Sequence, residues 1–362
     1  MTTQTYPCTA CGAKLQFAPG QHALQCPYCG AQNAIPEADQ AVQDTAVAEL
    51  DYQHFLDQAA GNEATIERQT VKCPACGAQS QLPEHTTADK CPFCTAPLIA
   101  SKATSLRLIQ PRAVAPFEIP EADARNRFRG WIDGLWFAPN ALKQAYRAAT
   151  GLKGLYLPYW TYDANTDTPY TGERGDYYYV TETYTENGVT KTRQVQRVRW
   201  SPAAGQVAVS FDDITVPASR SLPQDYLNGL EPWRLSGLKP YREDYLAGFT
   251  VEAYQIGLQP GFEIARGEME GGIRNAIERD IGGDLQRIHS MSPRYFDITF
   301  KHILLPVWLS SYQYGGKTWR FLVNGQTGEV QGERPWSYWK IGFAVLGGLL
   351  VLLFVLMLLS ES

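Results

Sequence analysis

The sequence of 362 residues predicts a strand-rich α+β fold that is built from several parts. Three features carry this prediction: a cysteine pattern that occurs twice near the N-terminus, a middle region of alternating aromatic and polar residues, and a long apolar stretch near the C-terminus. Hydrophobic residues make up 44% of the chain and charged residues 19%, a composition typical of a folded protein rather than a disordered one.

All the cysteines fall into Cys-x-x-Cys pairs. The pairs are Cys8 and Cys11, Cys26 and Cys29, Cys73 and Cys76, and Cys91 and Cys94. Fourteen residues separate the two pairs of each set, and the second set repeats the first after 65 residues. This spacing predicts two structural Zn2+ sites with four thiolate ligands each, held in two small β zinc ribbons at 1–35 and 66–100. Disulfides are the less favoured alternative for a protein of a reducing cytoplasm.

The apolar stretch Ile341–Leu359 has 19 residues and no charge. As a helix it would be about 28 Å long, close to the hydrocarbon thickness of a bilayer. Aromatic residues typical of a membrane interface precede it, namely Trp336, Tyr338 and Trp339. Arg334 and Lys340 lie on the same side, so we expect a single transmembrane helix at 341–359, a tail-anchored topology and a cytoplasmic N-terminal body. No secretory signal is recognisable in the first residues.

The region between these parts predicts a helical linker and a larger mixed domain. The linker covers 36–65, with one helix over 37–62, and the α+β strand-rich cytoplasmic domain covers 105–335. Within that domain we expect helices near 121–133, 139–149 and 260–280, strands over 154–175, a hairpin over 176–200 with Asn187-Gly188 as its turn, and a meander over 294–331. "LPYW" at 157–160 and "LPVW" at 305–308 resemble each other, either by chance or through internal duplication.

Gly-Gly-Lys-Thr at 315–318 ends like a phosphate-binding loop. The first glycine of such a loop would fall at Ser311, and the following "WRFLV" has the pattern of a strand rather than a helix. Diglycine between two strands instead predicts a hairpin turn. A nucleophile elbow, a His-Glu-x-x-His motif and a spare cysteine are all missing from the sequence, which predicts that the protein is not an enzyme.

Asp280, Asp284 and His289 form the one cluster from which a hydrolytic metal site could be drawn. The favoured interpretation is a polar helix end that stops at Gly282-Gly283. An unrecognised hydrolase that uses this region remains an alternative.

The formal net charge of −5 gives the chain no general attraction for nucleic acid. The first ribbon has only Lys14 between its outer cysteines, so contact with proteins is the favoured role of the ribbons and nucleic acid is an unlikely partner.

Several longer motifs resemble a family of bacterial membrane proteins. They are "LPYWTYDA", "GERGDYYY", "FDDITVPAS", "LEPWRLSGLKPY", "DIGGDLQRIH" and "TFKHILLPVWLSSYQYGGKTWRFLVNGQTGEVQGERPWSYWKI", together with the tandem ribbons and the final apolar helix. The family is often labelled as TFIIB-type zinc-ribbon proteins or, by name only, as primosomal-helicase-like; this chain lacks helicase motor motifs. The resemblance implies a place in the inner membrane and association with an SPFH-domain partner or phage-shock protein A at stressed membranes.

Three functional hypotheses follow in order of preference. The first is a tail-anchored membrane adaptor or scaffold that presents protein-binding surfaces at the cytoplasmic face. The second is a membrane-tethered zinc-ribbon factor that binds nucleic acid. The third is the hydrolase of the Asp280–His289 region.

Overall fold

The computed structural model describes residues 7–36, 43, 45, 47–58, 65–81, 88–99, 102–139, 151–314, 317–333 and 336–360. These residues form a strand-rich α+β fold, as predicted. The helices are α1 (Tyr52–Gln58), α2 (Glu121–Gly134), α3 (Gln224–Asn228), α4 (Leu258–Ile281) and α5 (Tyr338–Ser360). The strands are β1 (Gln16–Ala18), β2 (Ala23–Gln25), β3 (Gln32–Ala34), β4 (Leu50–Asp51), β5 (Thr65–Lys72), β6 (Gln79–Gln81), β7 (Ala88–Lys90), β8 (Pro97–Ile99), β9 (Thr104–Ile109), β10 (Ala113–Val114), β11 (Lys153–Glu186), β12 (Val189–Pro217), β13 (Lys239–Pro240), β14 (Thr250–Val251), β15 (Leu285–Met291), β16 (Arg294–Tyr314), β17 (Lys317–Asn324) and β18 (Val330–Gly332).

A large sheet forms the centre of the molecule, in the order β12-β11-β16-β10-β13. β14 and β15 also pair with β11, β4 and β17 pair with β16, and β18 extends the sheet beyond β17. The cysteine-bearing segments form smaller sheets, β1-β2-β3 in the first and β6-β5-β9 and β7-β8 in the second.

The predicted hairpin over 176–200 is the tip of a much longer one. β11 and β12 pair from Tyr159↔Pro217 to Glu186↔Val189, with a bulge between Tyr162 and Ala164. Asn187 and Gly188 form the turn at φ 52° and 76°, the left-handed pair of angles that a two-residue turn between twisted strands requires. The prediction of this turn is confirmed.

The linker prediction of one helix over 37–62 is wrong. Gln43, Thr45 and Val47 are helical, but β4 interrupts the segment and pairs with Thr299 and Phe300 of β16. Asp51 then begins α1 by accepting a hydrogen bond from the His54 N–H, which satisfies an otherwise free donor of the first turn. Pairing with the large sheet therefore overrides local helix propensity here.

The other predicted elements agree with the structure where it describes them. α2 and α4 match the helices expected at 121–133 and 260–280, and β16 to β18 form the expected meander. The helix predicted at 139–149 lies outside the described residues, apart from Pro139. β16 ends at Tyr314 and β17 begins at its partner Lys317, as expected for a hairpin; Gly315 and Gly316 between them lie outside the described residues.

The two Leu-Pro-x-Trp motifs occupy equivalent positions on neighbouring antiparallel strands, where Leu157 pairs with Leu305. Trp160 donates its indole N–H to the Ile256 carbonyl at 2.9 Å, two residues before α4 begins. In the same way, Trp308 donates to the Ile119 carbonyl at 2.8 Å, two residues before α2 begins. Each tryptophan therefore fixes the chain that enters one helix.

Backbone hydrogen bonds also correspond between the two Leu-Pro-x-Trp regions. The amides of Glu118 and Ile119 both donate to the Gly325 carbonyl, and those of Gln255 and Ile256 both donate to the Ala218 carbonyl. The short strands correspond too, since β10 runs parallel to β16 at Ile303 and Leu304 as β14 runs parallel to β11 at Leu155 and Tyr156. A local two-fold axis therefore passes between Leu157 and Leu305, and the four-letter echo marks a structural repeat.

The cysteine-bearing segments share their cores with the large sheet. Leu15 and Phe17 of the first segment pack in one cluster with Tyr156 and Trp308. Phe93 of the second packs in another with Leu155, Leu157 and Ile303. Loss of either segment would therefore expose apolar surface of the sheet, although the predicted domain boundaries themselves remain a prediction.

Two glycines of α4 provide a matched test of packing. A Cβ at Gly261 would lie 2.4 Å from the Tyr162 hydroxyl and 2.9 Å from Trp160 Cδ1, whereas a Cβ at Gly267 would meet no atom within 4 Å. We expect Gly261→Ala to lower the free energy of unfolding by about 1–3 kcal/mol through overpacking. Gly267→Ala should raise it by up to about 1 kcal/mol through helix propensity. Thermal unfolding of both full-length variants measures this; equal shifts would contradict the packing of α4 on β11.

Candidate metal centres

The eight cysteines lie in two compact clusters, as the spacing predicts. In the first, the Cys8–Cys29 and Cys11–Cys26 sulfurs are 3.6 and 3.5 Å apart. In the second, the Cys73–Cys94 and Cys76–Cys91 sulfurs are 3.5 and 3.6 Å apart. A tetrahedral ion with metal–sulfur bonds of about 2.3 Å needs sulfurs about 3.8 Å apart. Each cluster therefore fits one metal ion, and no disulfide joins these cysteines.

Each cluster is built from two copies of one tight turn. The amide of the first cysteine of each pair donates to the carbonyl five residues later, and its carbonyl accepts from the amide four residues later. The turn requires a positive φ, which glycine adopts at Gly12, Gly30 and Gly77. Thr95 takes this conformation in the fourth turn at φ 63°, a strained position for a β-branched residue.

Backbone N–H groups of these turns lower the pKa of some of the thiols, which favours the thiolate form that binds a cation. The Ala10 N–H lies 3.4 Å from Cys8 Sγ and lowers the pKa of the Cys8 thiol. The Cys29 N–H similarly lowers the pKa of the Cys26 thiol to about 6. Burial, by contrast, raises the pKa of the Cys76 thiol to about 11. Four thiolates can therefore coexist in the second cluster only when a cation balances their charge.

The structure does not gather the predicted hydrolytic residues into one metal-binding group among the residues it describes. Asp280 accepts a hydrogen bond from the Tyr170 hydroxyl at 2.5 Å, and Asp284 accepts one from the Tyr177 amide at 2.7 Å. His289 lies 3.6 Å from Glu173 on the exposed face of β15. α4 ends at Ile281, and Gly282 and Gly283 both have positive φ, so the predicted polar helix end is confirmed.

Sequence reasoning missed a cluster of acidic side chains around one lysine. The carboxylates of Glu49, Asp163 and Asp213 lie within 4.8 Å of one another. The Lys301 ammonium lies between them, 2.9 Å from Glu49 and 3.0 Å from Asp213, and supplies the positive charge. Burial raises the pKa of Asp163 to about 7. The contact between Glu49 and Lys301 holds the linker against β16. The members of the cluster are too far apart in sequence to form a recognisable motif.

Glu252 is a buried carboxyl group that the sequence did not reveal. It lies beside the second cysteine segment, where Ser80 forms a β-bridge with it and the Ala253 amide donates to the Gln79 carbonyl at 2.9 Å. Ser221 donates to Glu252 Oε1, while Oε2 has no hydrogen-bond partner among the described residues. Burial raises the pKa of Glu252 to about 7.

The raised pKa gives a testable dependence of stability on pH. Between about pH 4.5 and 7, the unfolded chain ionises Glu252 while the folded chain keeps it protonated, so the free energy of unfolding falls as the pH rises. Glu252→Gln removes this contribution. We therefore expect the variant to gain stability relative to wild type between pH 5 and pH 8, by up to about 3 kcal/mol.

Thermal unfolding of both proteins at the two pH values checks this prediction. Comparison at equal pH cancels the effect of protons on the cysteine ligands. Glu67→Gln, at an exposed position of β5, is the control and should change little. A difference between Glu252→Gln and wild type that does not vary with pH would contradict the buried-carboxyl account.

α5 is long and apolar enough to cross a membrane, over Tyr338–Leu359. Its residues from Gly342 to Leu359 are all exposed, so this stretch of the helix is not buried in the described protein. Twenty-two residues span about 33 Å as a helix, enough for a bilayer core of about 30 Å.

No family model and no solved structure matches the chain. A stretch of 247 residues is 27% identical to a Bacillus subtilis (strain 168) protein described as "Uncharacterized protein YdjG". The match covers 64% of this chain and 66% of YdjG, slightly less than two thirds of that protein.

Proposed function

We propose that this protein is a membrane-anchored adaptor whose body is stabilised by two structural Zn2+ ions and presents protein-binding surfaces. The observation that carries the proposal is the combination of two closed four-cysteine clusters with one uncovered apolar helix. Neither feature offers a place for catalysis, whereas both fit a protein that holds partners at a membrane.

Zinc is the ion that the donor set favours. Tetrahedral sets of four thiolates select Zn2+ or iron, and paired tight turns around four cysteines are the usual frame of structural zinc. The eight ligands would be Cys8, Cys11, Cys26, Cys29, Cys73, Cys76, Cys91 and Cys94. Four thiolates leave no open coordination position, so the ions would stabilise the fold and take no part in a reaction.

We infer that α5 inserts in the bacterial inner membrane with the N-terminal body in the cytoplasm. Lys340 precedes the apolar stretch, as the positive-inside rule expects of a cytoplasmic flank. A reducing cytoplasm also keeps the cysteines available as metal ligands.

Protein partners are favoured over nucleic acid. The net charge is −5, and at the tip of the β11–β12 hairpin, residues 176–200, the cations are largely paired: Lys191 contacts Glu186 at 2.7 Å, and Arg197 contacts Glu182 at 2.6 Å. Arg199 stacks on the Tyr178 ring at 5.2 Å. The family that the motifs resemble suggests SPFH-domain or phage-shock-protein-A-like partners in a membrane-stress complex.

Affinity purification from gently solubilised membranes tests this function. We expect the full-length protein to retain specific proteins, identified by mass spectrometry, and no more nucleic acid than an unrelated membrane protein of similar charge. Nuclease-sensitive material that co-purifies in stoichiometric amount would favour the nucleic-acid hypothesis. Preparations with neither partner would contradict the adaptor.

A further inference from the structure

We propose that the α2 loop, residues 135–139, is a second membrane-contacting element, in which Trp136 inserts at the lipid headgroup boundary beside the start of α5. This inference rests on the proposed insertion of α5 and extends it, because it fixes which face of the body lies against the bilayer.

The α2 loop is hydrogen-bonded to the first turn of α5. The Lys340 ammonium donates to the Trp136 and Ala138 carbonyls at 3.2 and 2.8 Å. The Ser337 amide donates to the Phe137 carbonyl at 2.8 Å. Three consecutive carbonyls of the loop thus hold the chain where it enters the apolar helix, and the loop must share the depth of that entry point.

The loop carbonyls offset an unfavourable electrostatic position of the Lys340 ammonium. It lies in the first turn of α5, where the positive end of the helix dipole disfavours a cation. Ser337 begins the helix and directs its Oγ toward the Lys340 amide at 3.5 Å. The carbonyl oxygens of the loop compensate the ammonium, so the positive charge remains at the level where headgroups begin.

The exposed side chains of the α2 loop and of the first turn of α5 are aromatic. Trp136 is 79% exposed, although Ala138 beside it is buried in the core and anchors the loop. Tyr338 and Trp339 of α5 are 85% and 80% exposed, and Trp336 packs near Phe137 with ring centroids 6.5 Å apart. Indole and phenol rings prefer the boundary between acyl chains and water, because each joins an apolar body to one polar group. Continuity with α5 therefore makes lipid, rather than a protein, the occupant of this surface.

Depth-dependent fluorescence quenching of the full-length protein tests the proposal. Three samples each carry one small fluorescent amino acid, at position 136, at position 352 in the middle of α5, or at position 179, an exposed site at the tip of the β11–β12 hairpin. Each is reconstituted in phosphatidylcholine–phosphatidylglycerol vesicles with nitroxide lipids labelled either near the headgroup or near the end of the acyl chain. We expect the headgroup-side nitroxide to quench position 136, the acyl-end nitroxide to quench position 352, and neither to quench position 179.

The experiment distinguishes failure of the proposed loop contact from failure of the proposed span. Quenching at 352 without quenching at 136 overturns the proposal for the loop and leaves the span intact. Quenching at 136 without quenching at 352 supports the loop and contradicts the span. Absence of quenching at both positions overturns both claims.

A conservative variant guards against misfolding of the labelled chain. The protein has 9 tryptophans, and the difference in emission between wild type and Trp136→Phe isolates the contribution of Trp136. This difference should shrink several-fold when the headgroup-side nitroxide lipid is present. A difference spectrum that the nitroxide leaves unchanged, in a variant with the wild-type metal content, would contradict the proposal.

Discussion

Replacement of Cys73 by serine should leave the full-length protein with one bound zinc ion instead of two. Serine cannot supply the thiolate, and an incomplete set should lose most of the roughly 10–16 kcal/mol with which such sites bind Zn2+. That loss is comparable to the whole stability of a domain, about 5–15 kcal/mol. The second cysteine segment should therefore unfold, while the first keeps its ion.

The effect should extend into the large sheet. Cys91 and Phe93 are fully buried and pack with Leu155 and Leu157 of β11, so unfolding of the second segment exposes that face. We expect a lower midpoint of thermal unfolding for the whole body. Cys8→Ser should show the converse pattern, with the second ion retained.

Native mass spectrometry of anaerobically purified protein counts the ions. Thr95→Gly is the matched control, since it changes the same cluster without removing a ligand and relieves a positive φ. It should keep two ions and unfold at a slightly higher temperature. Fewer than one ion per wild-type chain, or two ions in Cys73→Ser, would contradict the proposed sites.

Deletion of residues 341–362 should release a folded, metal-loaded protein from the membrane. Residues 342–359 are all exposed, so their loss removes little packing from the core. Lys340 and its contacts with the α2 loop remain. Fractionation after a high-salt wash should find the full-length protein in the membrane pellet and the truncated protein in the supernatant.

Two point variants refine this test. Leu350→Asp places a charge near the centre of the span, which costs about 2.5–3.5 kcal/mol, and should weaken insertion. Gly348→Ala changes the same region without charge and should insert normally. A truncated protein that still pellets after the wash would show that another part of the chain holds the membrane.

Local patterns in the sequence predicted the features that depend on neighbouring residues. The cysteine spacing predicted both four-cysteine clusters, and Asn187-Gly188 predicted the turn of the long hairpin, because turn geometry depends on adjacent backbone angles. The uniform apolarity of 341–359 predicted a helix long enough to span a membrane, and the structure has an exposed apolar helix there.

Features that depend on distant contacts were not predictable. Glu49 and Lys301 meet only because β4 joins the edge of β16, and that pairing is also what ends the helix expected over 37–62. Glu252 is buried because the second cysteine segment docks on β14. None of these contacts leaves a periodic signal in the sequence.

The internal two-fold symmetry was only partly predictable from the sequence. Leu-Pro-x-Trp appears twice in the sequence, but only the structure shows both tryptophans donating to the carbonyl that precedes a helix. Four letters are too few to separate duplication from strand composition. The repeated hydrogen bonds around Ala218 and Gly325 supply the missing evidence.

Replacement of the span tests the central claim, that a zinc-stabilised body acts as an adaptor because it is held at a membrane. Residues 341–362 are exchanged for an unrelated single span of similar length and charge, and the proteins recovered after cross-linking in cells are quantified against wild type and the truncated chain. Tethering raises the local concentration of a binding surface without new contacts. We expect the foreign span to restore the wild-type set of partners and the truncated chain to lose it. A truncated chain that recovers the same partners in the same amounts, or a foreign span that inserts normally yet recovers none, would contradict this account.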